Sequence, residues 1–236
     1  MTGRSLSVLA AAGVVTLQWA GCATPQDTMN TLTEAERAAG WTLLFDGSSL
    51  DGWRGYNMKS LPDGWAAVDG TLARVGSGGD IITESQFRDF ELTFEWKVDT
   101  GGNSGVFYRA AEGQELIYHS APEYQVLDDA NHRDGQSPLT SAGSDYALHA
   151  APRGLVRPAG EWNSGRIVVE GDRIEHWLNG SKTVEYERHT EEWAELVRNS
   201  KFVEWPAYGI ADVGHIGLQD HGDPVWYRNM KLRVLP

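Results

Sequence analysis

Cysteine is almost missing from this chain: 236 residues hold one, Cys22, and a lone cysteine cannot close an intrachain disulfide. Positive charge is scarce as well. Twenty Lys and Arg stand against 33 Asp and Glu, a formal net charge of −13, whereas a phosphate backbone needs a basic patch to be held. Nucleic acid is thereby excluded as a partner, and the acidity reads as solubility. No apolar run has the length and flanks of a membrane span that persists. Neither EF-hand nor HExxH spacing occurs, and there is no internal repeat or low-complexity tract. Glycine and tryptophan, by contrast, are plentiful, at 27 and 10. Gly supplies the positive φ of tight turns. Trp suits the faces of strands and the sheet core, and its flat ring also covers a pyranose. The length and a 41% hydrophobic content suffice for one good core, so a single domain is the default.

The N-terminus carries a compartment signal. Residues 1–21 hold Arg4, the apolar run LSVLAAAGVV and small residues just before Cys22, the layout of a secretory signal. The segment resembles the lipobox of bacterial lipoproteins, in which the cysteine is lipidated after cleavage; Trp19 departs from it, standing where that motif has Leu. The expectation is an exported protein, periplasmic or anchored at the outer membrane, that meets the membrane only through a lipid on Cys22. Residues 22–40 then read as a polar tether and one short helix, with Thr33 and Glu36 as a capping box and Gly40 as the stop.

From Trp41 the pattern changes to short runs punctuated by Asp-Gly turns at 46–47, 51–52, 63–64 and 69–70. ELTFEWKV alternates Leu92, Phe94, Trp96 and Val98 with polar residues, giving one core face and one wet face. After a Gly-rich corner, VFYRA turns Val106 and Tyr108 one way and Phe107 and Arg109 the other. EYQVLDDANH puts Glu123 and Gln125 on one strand face and Tyr124 and Val126 on the other. The irregular segment 130–158 carries His132, Arg133, Tyr146 and His149, and a loop of that length in a compact domain suits the wall of a site. Asn179-Gly180 marks a hairpin. Trp193, Leu196 and Val197 mark a second helix. VWYRNMKLRVL is a closing strand. About a dozen strands and two minor helices make an all-β domain, either a two-sheet sandwich or a barrel, between which strand spacing does not choose. Asp128, Asp129, Asn131 and His132 have the oxygen-rich look of a divalent cation site, with no ligand spacing that would identify a metal.

Six stretches, GWTLLFDGSSLDGW, NSGVFYR, EYQVLDD, PAGEWN, RIEHWLNG and GHIGLQDHGDPVWYRNMKLR, run in order from Trp41 to the end. Together they resemble the 3-keto-disaccharide hydrolase domain family. The resemblance implies a concanavalin-type jelly-roll sandwich over 41–236, in a family of exported bacterial proteins, many of them lipoproteins. It also implies cleavage of small carbohydrate substrates, glycosides whose sugar a separate 3-dehydrogenase has oxidised at C3. A ketone at C3 acidifies the C2 proton; a base removes it, the group on C1 leaves, and water adds. Such a site needs a base near C2, positive charge near the C3 oxygen and a proton donor for the leaving oxygen, not the paired carboxylates of ordinary glycosidases.

Carried onto this chain, the family's motifs place Glu123, Gln125, Asp128 and Asp129 in one cluster, Asn103 and Arg109 in a second, and Gln219, Asp220 and His221 in a third. Arg109 is the expected enolate stabiliser, since its charge is permanent. The base is open among Glu123, His132 and His221, with Glu123 first. Asn103, Gln125, Asp128, Gln219, Asp220 and Tyr146 are the expected substrate-binding residues. Plainer roles stand beside these: an Arg109–Glu123 structural ion pair, a turn at Asp220 and His221, a solvated His132, and a structural corner at Trp162 and Asn163. Two other functions compete, a non-catalytic lectin-like module and a retaining endoglucanase. The endoglucanase pattern needs an acid where Gln125 stands. The lipoprotein expectation predicts an acyl addition on an N-terminal Cys22 in the mass of the mature protein; a mature chain without one would overturn it.

Overall fold

The computed structural model describes Met1, Gly3 and residues 29–236; the expected signal, the start of the tether and Cys22 lie outside the described residues. The chain enters the domain through a clamp. Asn30 and Asn229, both left-handed at φ 52° and 51°, an αL conformation that Asn tolerates, exchange backbone-to-side-chain hydrogen bonds of 2.7 and 2.8 Å. Helix α1 (Glu34–Ala38) follows with the expected capping box: Glu36 N–H donates to Thr33 Oγ1 and Thr33 N–H to a Glu36 carboxyl oxygen, at 3.2 and 2.7 Å.

Thirteen strands follow: β1 (Trp41–Leu43), β2 (Trp53–Gly55), β3 (Trp65–Val68), β4 (Thr71–Arg74), β5 (Ile81–Phe87), β6 (Phe90–Val98), β7 (Asn103–Ala110), β8 (Glu123–Leu127), β9 (Asn163–Glu170), β10 (Arg173–Leu178), β11 (Ser181–Glu187), β12 (Gly214–Leu218) and β13 (Val225–Val234). They form two antiparallel sheets. The larger runs β11-β10-β9-β6-β13-β4-β3, with β1 also paired to β13, and the smaller runs β2-β5-β12-β7-β8. Helix α2 (Glu191–Arg198), capped by Thr190 and burying Trp193, bridges β11 and β12 in sequence. The expected two-sheet sandwich is therefore the observed one.

The alternation read in ELTFEWKV holds: Leu92, Phe94, Trp96 and Val98 are buried between the sheets with Val106 and Tyr108 of β7, Tyr124 and Val126 of β8, and Tyr227 and Leu232 of β13. Each such side chain contributes about 1.5–3 kcal/mol by leaving water. Phe94 needs a partner without a side chain. It pairs with Gly165 on β9, where an added Cβ would lie 2.4 Å from the ring.

The smaller sheet is covered on its outer face too. Ile82, Phe107 and Ala110 pack there against Tyr56, Ile117 and Ala121. A 3₁₀ turn, Ile117–His119, rides close to β12 because Gly217 leaves room; a Cβ there would sit 2.5 Å from Ile117 Cδ1. The free edge of β8 is sealed by the loop that the sequence marked as a wall. Gln125 N–H donates to Ser144 O at 3.1 Å, Gly143 N–H to Gln125 O at 2.9 Å, and Tyr146 N–H to Glu123 O at 3.0 Å, so an exposed edge is replaced by paired backbone. These two devices, the riding turn and the sealing loop, bring Tyr118 and Tyr146 beside Glu123.

Candidate active site

A cavity of about 190 Å³ opens on the outer face of the smaller sheet, lined by Asn103, Tyr118, Glu123, Gln125, Tyr146, Lys201, Gln219 and His221. Strand alternation on β8 presents Glu123 and Gln125 together, as expected. Gly105 of β7, opposite Gln125 in the ladder, makes the close approach available: a Cβ there would stand 2.1 Å from Glu123 Oε1. The Glu123 side chain thus lies across bare backbone. Asn103 Oδ1 accepts a hydrogen bond from Gln125 Nε2 at 3.3 Å, while Gln125 Oε1 and Gln219 Oε1 are buried with no partner among the described residues. Unmet buried acceptors cost free energy. The Gln219 backbone is itself pinned, its carbonyl accepting from Ser104 Oγ at 2.8 Å and its N–H donating to Gly105 O at 3.0 Å.

Glu123 is the electrostatic centre. Among the described residues nothing hydrogen-bonds its carboxyl, and it is only 7% exposed. Burial pushes its pKa up to about 8 against the pull of Lys201, with Asp80, Asp145 and Asp134 adding to the rise. Lys201 belongs to a 3₁₀ turn, Lys201–Glu204. Its ammonium lies 4.5 Å from the ring centroid of Tyr146 and 5.1 Å from that of Tyr118. Burial lowers its pKa, while Glu123 and Asp134 work the other way. Tyr146 donates a 3.3 Å hydrogen bond to Asp134, and burial, followed by the charges of Asp134 and Glu123, raises its phenol to about 12.

Six residues read from the sequence therefore meet in the cavity: Glu123, Asn103, Gln125, Tyr146, Gln219 and His221. His132 stands at its rim, its ring centroid 6.0 Å from that of His221 and its Nδ1 accepting from Asp134 N–H at 3.1 Å.

Four others lie outside this cavity. Arg109 leaves the strand alternation at φ 52° and is spent on structure, its guanidinium pairing with Asp89 at 3.1 Å and donating to the carbonyls of Arg88 and Gly171, both at 2.9 Å. It neither lines the cavity nor pairs with Glu123. The Asp128 carboxylate ties its own loop, accepting from Gly101 N–H, Ala130 N–H and Asn131 Nδ2, and Asp129 accepts from Ala142 N–H. Asp220 pairs with Arg74 and accepts from the N–H groups of Gly78 and Gly79 at 2.9 and 3.0 Å. It serves as the corner that the plainer reading described.

Lys201, Tyr118 and Asp80 were not marked by the sequence. Lys201 falls in the stretch read as the second helix, and Tyr118 and Asp80 lie in segments with no periodicity.

The cation site suggested for Asp128 to His132 does not fit the donors present, since the Asp128 oxygens already accept three N–H groups. Elsewhere, Asp172, His189 and Asp212 bring ligand atoms within 4.8 Å of one another. The Arg188 guanidinium already sits against Asp172 and Asp212, at 3.1 and 3.2 Å, and supplies the positive charge. None of the three lines the Glu123 cavity.

Because the folded-state pKa of Glu123 lies above its ordinary value of 4.5, the native state holds a proton that the unfolded chain releases. That contribution is fully present below about pH 4.5 and is lost as pH rises through about 8. Replacing Glu123 by Gln removes the titration. The melting temperature of Glu123→Gln should therefore gain on that of the parent as pH is raised from about 5 to about 9; a difference that stays constant over that range would contradict the buried, unpaired carboxyl.

Comparison with known proteins agrees with this architecture. A Bacteroides thetaiotaomicron protein named 3-keto-disaccharide hydrolase is 38% identical over 239 residues, spanning 88% of this chain and 82% of its own. A crystal structure from Parabacteroides distasonis, described as a candidate glycosyl hydrolase, superposes with a TM-score of 0.82 at 34% identity, covering 89% of this chain and all of that one. A Bacillus subtilis protein with a galectin-like fold, 15% identical, shares the fold alone, at TM-score 0.53 over 77% of this chain and 88% of its own. Residues 40–233 match the 3-keto-alpha-glucoside-1,2-lyase-like domain, and the chain belongs to that family.

Proposed function

We propose that this protein hydrolyses the glycosidic bond of 3-keto-glycosides, 3-keto-disaccharides among them, by removing the C2 proton, expelling the group on C1 and adding water. The observation that carries the reading is the single carboxyl of the cavity. Glu123 is buried, unpaired by hydrogen bonds and raised to about 8, the value of a usable base near neutral pH. Glu123 is the one carboxyl in the lining of this cavity; Asp80, Glu115 and Asp220 lie in the chamber that adjoins it, whereas an ordinary glycosidase needs a pair facing one glycosidic bond. Glu123 takes the C2 proton, and the Lys201 ammonium, the one Lys or Arg of the lining, faces the oxygen on which enolate charge develops. It takes the part that the sequence had assigned to Arg109. The amides of Asn103, Gln125 and Gln219 hold the sugar hydroxyls. None of the nine tryptophans among the described residues lines the cavity, which counts against a Trp-platform lectin. The same reading makes the protein an exported lipoprotein anchored through Cys22 and supplied with substrate by a sugar 3-dehydrogenase.

Incubation with 3-keto-trehalose or 3-keto-sucrose and their unoxidised parents tests this. Sugar should be released from the keto forms alone, with kcat/KM climbing as pH rises toward about 8 and Glu123 loses its proton. Glu123→Gln should lower turnover by about 10²–10⁴-fold, the usual contribution of a general base. Gly105→Ala should also lower it while the protein stays folded, because the new methyl occupies the place of the carboxyl. Release from the unoxidised sugars, or full activity in Glu123→Gln, would sink the reading.

A further inference from the structure

The cleft does not end at the Glu123 cavity. Tyr118, Gln219 and His221 also line a second chamber of about 370 Å³, whose far walls include Tyr56, Asp80 and Leu116. The two spaces meet at these three residues, and together they match the roughly 300–1,000 Å³ of ordinary ligand pockets.

Tyr118 is held firmly at that junction. Its ring meets His119 and Trp205 edge-on, at centroid separations of 4.7 and 5.2 Å, with the Lys201 ammonium over its face. Its hydroxyl has no hydrogen-bond partner among the described residues. A substrate with its keto sugar beside Glu123 and its second sugar in the outer chamber would pass its bridging oxygen by this group. We propose that Tyr118 is the general acid of the reaction, giving its phenolic proton to the departing oxygen, and that the outer chamber is the leaving-group subsite for a second sugar. The assignment rests on the 3-keto-glycoside reading.

The proton and electron balance closes without a further reagent. Glu123 takes the C2 proton, and the C2–H electrons form the C1–C2 double bond as the C1–O bond breaks. The departing oxygen takes the Tyr118 proton. When water adds at C1, its proton restores the phenol, and Glu123 returns its proton to C2. Burial, reinforced by the carboxylates of Glu115, Asp80 and Glu123, raises the phenol above its ordinary value, so it stays protonated where Glu123 begins to ionise. A sugar alkoxide is a stronger base than a phenolate, so the transfer runs downhill. Asp80 is one of three carboxyls on the walls of the outer chamber, with Glu115 and Asp220. It accepts from Asp220 N–H at 2.8 Å, and burial, opposed by that hydrogen bond, raises its carboxyl to about 6.

Tyr118→Phe keeps the ring and its contacts and removes only the hydroxyl. The experiment compares kcat on a 3-keto-disaccharide with kcat on the p-nitrophenyl 3-keto-glucoside, whose leaving group departs without protonation. A circular-dichroism melt verifies the fold. Tyr118→Phe should lose about 10²–10³-fold on the disaccharide, the scale of general-acid catalysis, and stay within a few-fold of the parent on the nitrophenyl glycoside. Equal losses on both substrates would make Tyr118 structural, and no loss on either would remove it from the chemistry. His221 shares the junction, so the selective loss appearing in His221→Gln instead would move the role there and overturn the assignment. If the parent protein turns over neither substrate, the 3-keto reading itself fails and the assignment with it.

Discussion

A carboxyl buried without a hydrogen bond sets the terms for the whole smaller sheet. Removing an ionised group from water is costly unless it is paired, and Glu123 answers by keeping its proton well above the normal carboxyl range. Its seat depends on an absence, the missing side chain of Gly105, over which the Glu123 carboxyl lies. Around it, the 143–146 segment seals the β8 edge and the Ile117 turn fits down onto Gly217. Lys201 supplies the compensating charge from a different part of the chain. The burial that raises the pKa of Glu123 is also what makes its charge costly to hold.

The rest of the molecule makes that cost bearable. The core between the sheets buries aromatic side chains from β6, β7, β8 and β13. The tryptophans that composition could have assigned to sugar binding serve this scaffold instead. Trp53, Trp65, Trp96 and Trp193 are buried. Outside the core, Arg228 and Lys97 lie over Trp162, Arg166 over Trp177 and Arg233 over Trp41, with the charged group 4.0–5.2 Å from each ring centroid. The charge on this face is locally matched as well, for Glu91 takes Arg166 and Arg233, and Glu95 takes Arg228.

How much could be read in advance depended on the range of the interaction. The ELTFEWKV alternation, the Thr33–Glu36 box and the Glu123–Gln125 face are local, set by two- and three-residue periods, and each is found where expected. Arg109 was misplaced because the strand period was carried one residue too far. At φ 52° the chain leaves the pleat, and the guanidinium turns to Asp89. Asp128 and Asp220 lie outside the Glu123 cavity for another reason. An acid beside a turn is as apt to hold backbone N–H groups as substrate, and both do so here.

Alternation and turn chemistry, written in neighbouring positions, by themselves determined the all-β class, most of the elements and the Glu123–Gln125 face, whereas Asn103, Gln219 and His221 were marked only through the resemblance of ordered motifs to a family. Only the tertiary structure decided which cation faces Glu123, that Tyr118 stands between two chambers, and how far the carboxyl is raised. Those depend on groups more than seventy residues apart in sequence, such as Glu123 and Lys201, and on burial, which no local pattern encodes.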